Sequence, residues 1–474
     1  MIWFFYNCFF PIVFLLLLPR FLLRMWKRGG YRKGFLQRFG RYEVAVQERL
    51  RNRPRVWIHA VSVGEVLVAL RFMRALREQR SALAFVLTTT TSTGHAIAAQ
   101  HLSADDVLLY FPVDLPWIMT QVLDRLHPLA LVLVEGELWP NLLRLARHRR
   151  VPIMLLNGRL SAHSCRNYRK VRCLVKKALA CFDLFCMQGP EDAQRLGELG
   201  ADPGKIRVMG SAKYDVTEPA HMDLLPVRAG LLRAGFDAAT RWLVGGSTWP
   251  GEETILLDLY KKLRAQDPKT RLALVPRHAE RRQAVMAAIR KAGLACAAWS
   301  ELKAAQTATT SCSRADLSGV ALAKSDVLLV DTTGELKLFY ALATVIFVGK
   351  SLTSHGGQNV IEAAIFAKPI VIGPYTENFT TVIADFRAAN ALIQVPDAAA
   401  LERSVAELWA DNQVAQAYGR RAEQVVHAKA GASRASAECL LKLLVARAEH
   451  LKCPSTQQSR PNMSAWSIGI IGVT

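Results

Sequence analysis

Glu65 stands in the stretch SVGEV (62–66), between the apolar run RVWIHA and the amphipathic run LVALRFMRALRE. A carboxylate there, one turn into a helix that follows a strand, can take a proton from a bound hydroxyl. Ser62 is a suitable cap for that helix, Gly64 permits the tight turn, and the helix dipole favours an acid in the first turn whatever its role. On this stretch alone both readings stay open. A second acidic site is VEGELWPNLL, where Glu135 and Glu137 follow an apolar run and precede Pro140, a good first residue for a helix. Two acids at i and i+2 of an extended chain share a side, which suits recognition of sugar hydroxyls; decoration of a helix start is the competing reading. Arg159, in NGRLS, is a cation at the next such boundary.

Further along, SHGGQNVIEAAIFAKP combines Gly356, Gly357, Gln358 and Asn359 with Glu362. Paired glycines expose backbone N–H groups to an anion at a helix start, and a following Glu can accept from vicinal ribose hydroxyls. Arg277 and His278 in PRH add cations suited to phosphate. Ser247 and Thr248, then Gly334 and Glu335, occupy comparable boundaries. No cluster of metal-ligating residues accompanies them, so neither a metal nor another cofactor is expected.

These residues share one context. In open parallel sheets ligands bind beyond the carboxyl ends of strands, and each group directly follows an apolar run. RVWIHAV, LAFVLTT, VLLYFP, LALVLVE, VPIMLLN, LFCMQ and KIRVMG form one series. RWLVGGS, RLALVPR, DVLLVD, TVIFVG and PIVIG form another, and amphipathic runs separate them. Such runs predict buried parallel strands alternating with helices. The expectation is an α/β protein of two Rossmann-like domains facing a cleft, at 55–214 and 241–446, joined by a Pro- and Gly-containing linker at 215–240. Residues 301–320, rich in small residues, Ser and Thr, read as a surface loop. The tail 447–474 receives no role.

The chain has 474 residues and a formal charge of +22. Twelve Lys and Arg lie between Arg20 and Arg55 against Glu43 and Glu48, so nearly half of that charge is concentrated there. Nucleic acid is one class of partner for such charge, but no interleaving of aromatic and basic residues accompanies it. The preceding run, IWFFYNCFFPIVFLLLLP, points instead to the membrane: an uncleaved N-terminal anchor at 1–23, then a basic neck at 24–54 on the cytoplasmic side, facing anionic lipid of a bacterial inner membrane. Nine cysteines, an odd number without a C-x-x-C pair, predict free thiols.

From the anchor to about residue 445 the motifs resemble the 3-deoxy-D-manno-octulosonic acid (Kdo) transferases of lipopolysaccharide synthesis. The resemblance rests on WIHAVSVGEV, TTTTSTG, YFPVDLP, EGELWPN, NGRLS, MQGPED, GGSTWPGEE, PRH, TTGEL and GGQNVIEAA…GPYTENF, in this order. It implies a GT-B glycosyltransferase that moves Kdo from CMP-Kdo to a tetraacyl lipid A precursor, inverts the anomeric centre and releases CMP. It also implies that Glu65 is the general base. Gln358 and Val360 replace a family His and Pro, and Lys350 replaces a Gly, where it could bring charge to the leaving phosphate. The basic run SCRNYRKVRCLVKK (164–177) is expected at the acceptor's phosphates. An epimerase-like enzyme of the same fold and a membrane-associated basic binding protein are the alternatives.

Overall fold

The structure, a computed structural model, describes residues 34–216, 223–309 and 325–452, and positions 3, 6–9, 11, 12, 16 and 19. It divides into two compact units, Met1–Asp215 with Ala430–Thr474, and Val216–Lys429.

The first unit holds β1 (Val56–Ala60), β2 (Phe85–Thr89), β3 (Val107–Tyr110), β4 (Ala130–Val134), β5 (Ile153–Gly158), β6 (Leu184–Met187) and β7 (Ile206–Val208). They form one parallel sheet in the order β3-β2-β1-β4-β5-β6-β7. Every residue of β1, β2, β4 and β5 is buried, which is why these strands are continuous apolar runs. Side chains alternate between two cores: Trp57 enters one, while Val56, Ile58 and Ala60 enter the other.

The second unit repeats the plan with β8 (Arg241–Thr248), β9 (Thr270–Pro276), β10 (Cys296–Ala298), β11 (Val327–Leu329), β12 (Val345–Val348), β13 (Ile370–Ile372) and β14 (Ile393–Gln394). The order is β10-β11-β9-β8-β12-β13-β14, again parallel. The edge strands β10 and β14 were not among the expected ones.

Several boundaries differ from those expected. The division after the second sheet falls at Lys429, not 446, because the helix Ala432–Lys452 returns to the first unit. There Ala437, Leu440 and Leu444 share a core with Val68, Phe72 and Leu76. Asp215 secures the return by accepting N–H bonds from Gly431 and Ser433, both at 2.6 Å. The expected linker contains the helix Leu225–Arg233, and its residues 217–222 lie outside the described residues. Of the expected loop, residues up to Thr309 belong to the helix Trp299–Thr309, and 310–324 are not described.

The single-pass anchor does not stand. Among the described residues no helix is long and apolar enough to cross a membrane, and the inner-membrane placement that rested on it falls too. Most of residues 1–23 lie outside the described residues, but the described polar ones are engaged by the first unit. Tyr6 donates to Asp114 at 2.9 Å, and Asn7 accepts from the Asn141 side chain at 2.7 Å. The neck is also built into the fold where it is described. Arg38 donates to the Thr90 carbonyl at 2.8 Å, Arg49 to those of Ala104 and Asp106 at 2.6 Å, and Arg53 pairs with Asp105 at 2.6 Å. These three cations are committed to the protein, and residues 24–33 of the neck lie outside the described residues. The described cysteines are free thiols.

Two buried groups give the first unit an acid response. His59 is stacked on Phe111 at 3.7 Å, with Nδ1 3.1 Å from the Thr88 carbonyl, and burial pushes its pKa down to about 3. The folded state therefore keeps it neutral where the unfolded chain takes a proton. Its stabilising contribution is present above about pH 6.5 and is lost as pH falls toward 3. Asp114 works in the opposite sense. Burial raises its pKa to about 6, so its contribution is present below the ordinary carboxyl range and lost as pH rises through 6. His59→Gln removes only the first effect. Between pH 7 and 4 the variant should lose about 3 kcal/mol less stability than the parent. Denaturant unfolding at several pH values measures this, and parallel profiles would exclude His59 as the source.

Candidate active site

At the carboxyl end of β1 the chain turns into the helix Val63–Gln79, and Ser62 and Glu65 cap it reciprocally. The Val61 N–H donates to Glu65 Oε2 at 2.9 Å, while the Ser62 N–H and Oγ donate to Oε1 at 3.3 and 2.8 Å. The helix-start role is therefore real. It does not exhaust the carboxylate, which offers about four acceptor positions; Oε2 keeps one free.

Glu65 also lines a cavity of about 430 Å³ together with Glu135, Glu137, Arg159, Ser161, Ser164 and Tyr168. Leu138, Leu155, Leu160, Val175, Leu179 and Leu196 form an apolar wall. The structure thus brings together Ser62, Glu65, Glu135, Glu137 and Arg159, but not through an extended Glu135–Glu137 segment. Glu135 has φ 66, in the left-handed region, and its N–H and C=O are held by the Leu156 carbonyl and the Arg159 N–H at 2.9 Å each. Asn157, φ 54, sits where the β5–β6 register shifts, and its side chain meets Glu135 Oε1 at 3.5 Å and the Ala212 N–H at 3.0 Å. Left-handed non-glycine residues at strand ends store strain that commonly serves a site.

The carboxylates influence one another. Burial holds Glu135 above its usual range and Glu65 adds to this, while Lys213 and Arg159 oppose it. Burial and then Glu65 raise Glu137; burial and then Glu137 raise the Tyr168 phenol. Glu135, Glu137 and Tyr168 therefore hold their protons more tightly than in water. Tyr168 and Lys213 were not foreseen; Tyr168 is a neutral residue within the basic run 164–177.

The second unit's residues separate into groups with different duties. Thr248 is fully buried and donates to Glu253 at 2.9 Å, and Glu253 pairs with Arg281 at 2.6 Å. Glu335 accepts from Thr332, from Trp299 at 3.1 Å and from Lys303 at 2.9 Å; burial pushes its pKa up, but these partners together bring it below its usual range. Thr248 and Glu335 thus hold the fold. Gly334, φ 90, has open space where a Cβ would lie. Arg277 and His278 are exposed after β9, with His278 5.3 Å from the Trp249 ring. Ser247, φ 54, marks a register shift between β8 and β9.

Lys350, also left-handed, follows β12, and its ammonium lies 4.9 Å from the centre of the Trp249 ring. Its carbonyl accepts the Gly357 N–H at 2.9 Å, and its Nζ would lie 3.4 Å from a Cβ on Gly356. The glycine pair does not itself start a helix. A four-residue helix, Ile361–Ala364, begins further on, with Asn359 Oδ1 accepting the Ile361 N–H at 3.1 Å. Gln358 and Glu362 are half-buried, and after burial the charge of Glu362 is what raises the Tyr340 phenol. Two acids unforeseen from sequence organise this region. Glu252, fully buried, accepts the N–H groups of Trp249 and Lys350 at 2.8 Å, Ser351 at 2.9 Å and Leu352 at 3.0 Å. Glu377 accepts the Gly356 N–H at 2.7 Å.

Residues 33–216 match the family described as 3-Deoxy-D-manno-octulosonic-acid transferase (kdotransferase). The chain is 34% identical over 438 residues to the 3-deoxy-D-manno-octulosonic acid transferase of Bordetella pertussis, covering 90% of this chain and 96% of that one. The Haemophilus influenzae protein of the same name is 29% identical over 407 residues, 86% of this chain and 90% of that one. In fold, the chain is similar to a UDP-GlcNAc 2-epimerase from Neisseria meningitidis (TM-score 0.54, 14% identity, 82% of this chain and 100% of that one). A glycosyltransferase from Rickettsia africae is similar too (TM-score 0.52, 11% identity, 85% and 99%). The two parallel seven-stranded sheets are those of a GT-B-like fold.

Proposed function

This chain belongs to the 3-deoxy-D-manno-octulosonic acid transferase family of glycosyltransferases, and from that premise we propose that it transfers Kdo from CMP-Kdo to a tetraacyl lipid A precursor, with inversion and release of CMP. The observation that carries the acceptor half of this reading is the cavity where Glu65 meets Glu135, Glu137 and Arg159. An acceptor hydroxyl held there attacks the anomeric carbon of Kdo. Glu65 takes the hydroxyl proton on Oε2, the oxygen with a free acceptor position. The bond from the anomeric carbon to the phosphate oxygen breaks, and CMP leaves with the electron pair. A single displacement of this kind inverts the centre. Lys350, Arg277 and the Gly356–Asn359 turn supply positive charge and N–H groups for the departing phosphate, so no metal is invoked. The cations of 164–177 on the helices Ala162–Lys170 and Arg172–Leu179 meet the acceptor's phosphates, and the apolar cavity wall suits a lipid.

Incubation with CMP-Kdo and a tetraacyl lipid A precursor tests the whole reaction: the lipid should gain mass in whole Kdo units, and unchanged lipid with active donor would refute it. The donor half predicts that Glu362→Ala weakens CMP binding about ten- to hundredfold, the worth of a charged acceptor on the ribose hydroxyls. Calorimetric titration with CMP measures this. Wild-type affinity in the folded variant would place the nucleotide elsewhere.

A further inference from the structure

We propose that Glu377 sets donor affinity in this enzyme by occupying the anion position of the Gly356–Gly357 turn when no nucleotide is bound, so that the donor phosphate must displace it. The proposal rests on the reading that the phosphate binds at that turn.

The Gly356 N–H is a backbone donor on a buried residue, and such a group needs an acceptor whether or not ligand is present. Glu377 Oε2 is that acceptor, at 2.7 Å. The other oxygen, Oε1, lies 2.7 Å from His355 Nδ1, and the His355 ring packs 4.0 Å from that of Tyr375. The Asn378 N–H returns to the Gly356 carbonyl at 3.0 Å, which fixes the segment Glu377–Phe379 beside the turn. With His355 as partner the Glu377 carboxyl is held below its usual range, so it is an anion at neutral pH. Lys350 adjoins the same turn, its Nζ 3.4 Å from where a Cβ on Gly356 would lie.

A phosphate oxygen and the Glu377 carboxylate compete for one N–H, and their like charges repel at contact distance. They cannot share the turn. The latch is built to open: the side chains of Glu377 and His355 are 53% and 75% exposed, so both can swing into water without unpacking a core. The Gly356 N–H then passes from one anion to another and is never left without a partner. The position after GPYT is therefore a determinant of how tightly this chain holds its donor.

The test is calorimetric titration of the full chain with CMP and with cytidine, which lacks the phosphate. Glu377→Ala should bind CMP roughly three- to tenfold more tightly, the worth of one competing hydrogen bond, with no change for cytidine. Glu377→Gln, an acceptor without charge, should fall between Ala and wild type. Melting curves establish that the variants fold. Weaker CMP binding by Glu377→Ala would make Glu377 a nucleotide ligand and overturn the proposal. Unchanged CMP binding, with Glu362→Ala still weakening it, would overturn the latch alone. If neither substitution moves CMP affinity, the donor reading itself fails and the latch falls with it.

Discussion

Glu65→Gln should lower turnover about 10²–10⁴-fold, the usual worth of a positioned general base, while CMP affinity stays at the wild-type value. The substitution isolates the proton-accepting role because much of the capping survives it. The amide oxygen can still accept from Ser62, as it would in a capping box closed by Gln. What changes is Oε2. An amide nitrogen there faces the Val61 N–H, donor against donor, and cannot take a proton. The mismatch costs about 1–3 kcal/mol of stability, so the melting point should fall somewhat even as the protein stays folded. CMP affinity is the internal control, since the proposed nucleotide contacts belong to the second unit. If Glu65 merely caps its helix, the melting point falls by the same amount and turnover per folded molecule is retained. Retained turnover would remove Glu65 from the mechanism, and Glu135 or Glu137, whose carboxyls hold protons more tightly, would become the groups to test next.

The parts of this molecule that were legible in its sequence are those that leave a local pattern. Parallel strands buried on both faces read as unbroken apolar runs, so β1, β2, β4, β5 and their counterparts in the second unit were found, while β7, a mostly exposed edge strand, was found from the mixed run KIRVMG. The edge strands β10 and β14 are three and two residues long and lie in the short runs LACAAW and ALIQV, the first rich in alanine and without the β-branched residues that mark a strand. That Glu65, Glu135, Glu137 and Arg159 would lie near one another was legible because all four stand just past strand ends, which a parallel sheet gathers at one edge. The same rule also selected Thr248 and Glu335, whose side chains hold the fold through Glu253 and through Trp299, Thr332 and Lys303. Position identifies which side chains reach a site region; only their partners show which are free to act there. The N-terminal run, expected to be an anchor, shows a related limit. Its composition is apolar, but hydropathy does not register that Tyr6 and Asn7 have specific partners in Asp114 and Asn141 more than a hundred residues away.

Glu252 shows the same limit at its strongest and carries the largest expected effect on stability. In sequence it is one of two acids after Pro250–Gly251, an ordinary helix-start decoration. In the structure its carboxylate spans 98 to 100 residues to bind the N–H groups of Lys350, Ser351 and Leu352, besides that of Trp249. It joins the end of β8 to the end of β12, the two places where Ser247 and Lys350 adopt left-handed backbones. Glu252→Ala leaves four N–H groups without their acceptor. At about 1–3 kcal/mol for each unsatisfied buried donor, less what water entering the space recovers, the loss should reach several kcal/mol, a large part of a typical domain's stability. Glu252→Gln keeps one acceptor oxygen and turns an amide N–H₂ toward the other donors, so it should lose less and remain folded at room temperature. Its CMP affinity should nevertheless fall. Glu252 is fully buried and cannot touch a nucleotide, but it holds the Lys350 backbone that places the ammonium beside the Gly356 turn. Guanidinium unfolding of both variants, with CMP titration of the Gln variant, separates the two effects. An Ala variant as stable as wild type would show that other acceptors take over the four donors. A destabilised Gln variant with full CMP affinity would mean that Lys350 is not among the groups that hold the phosphate.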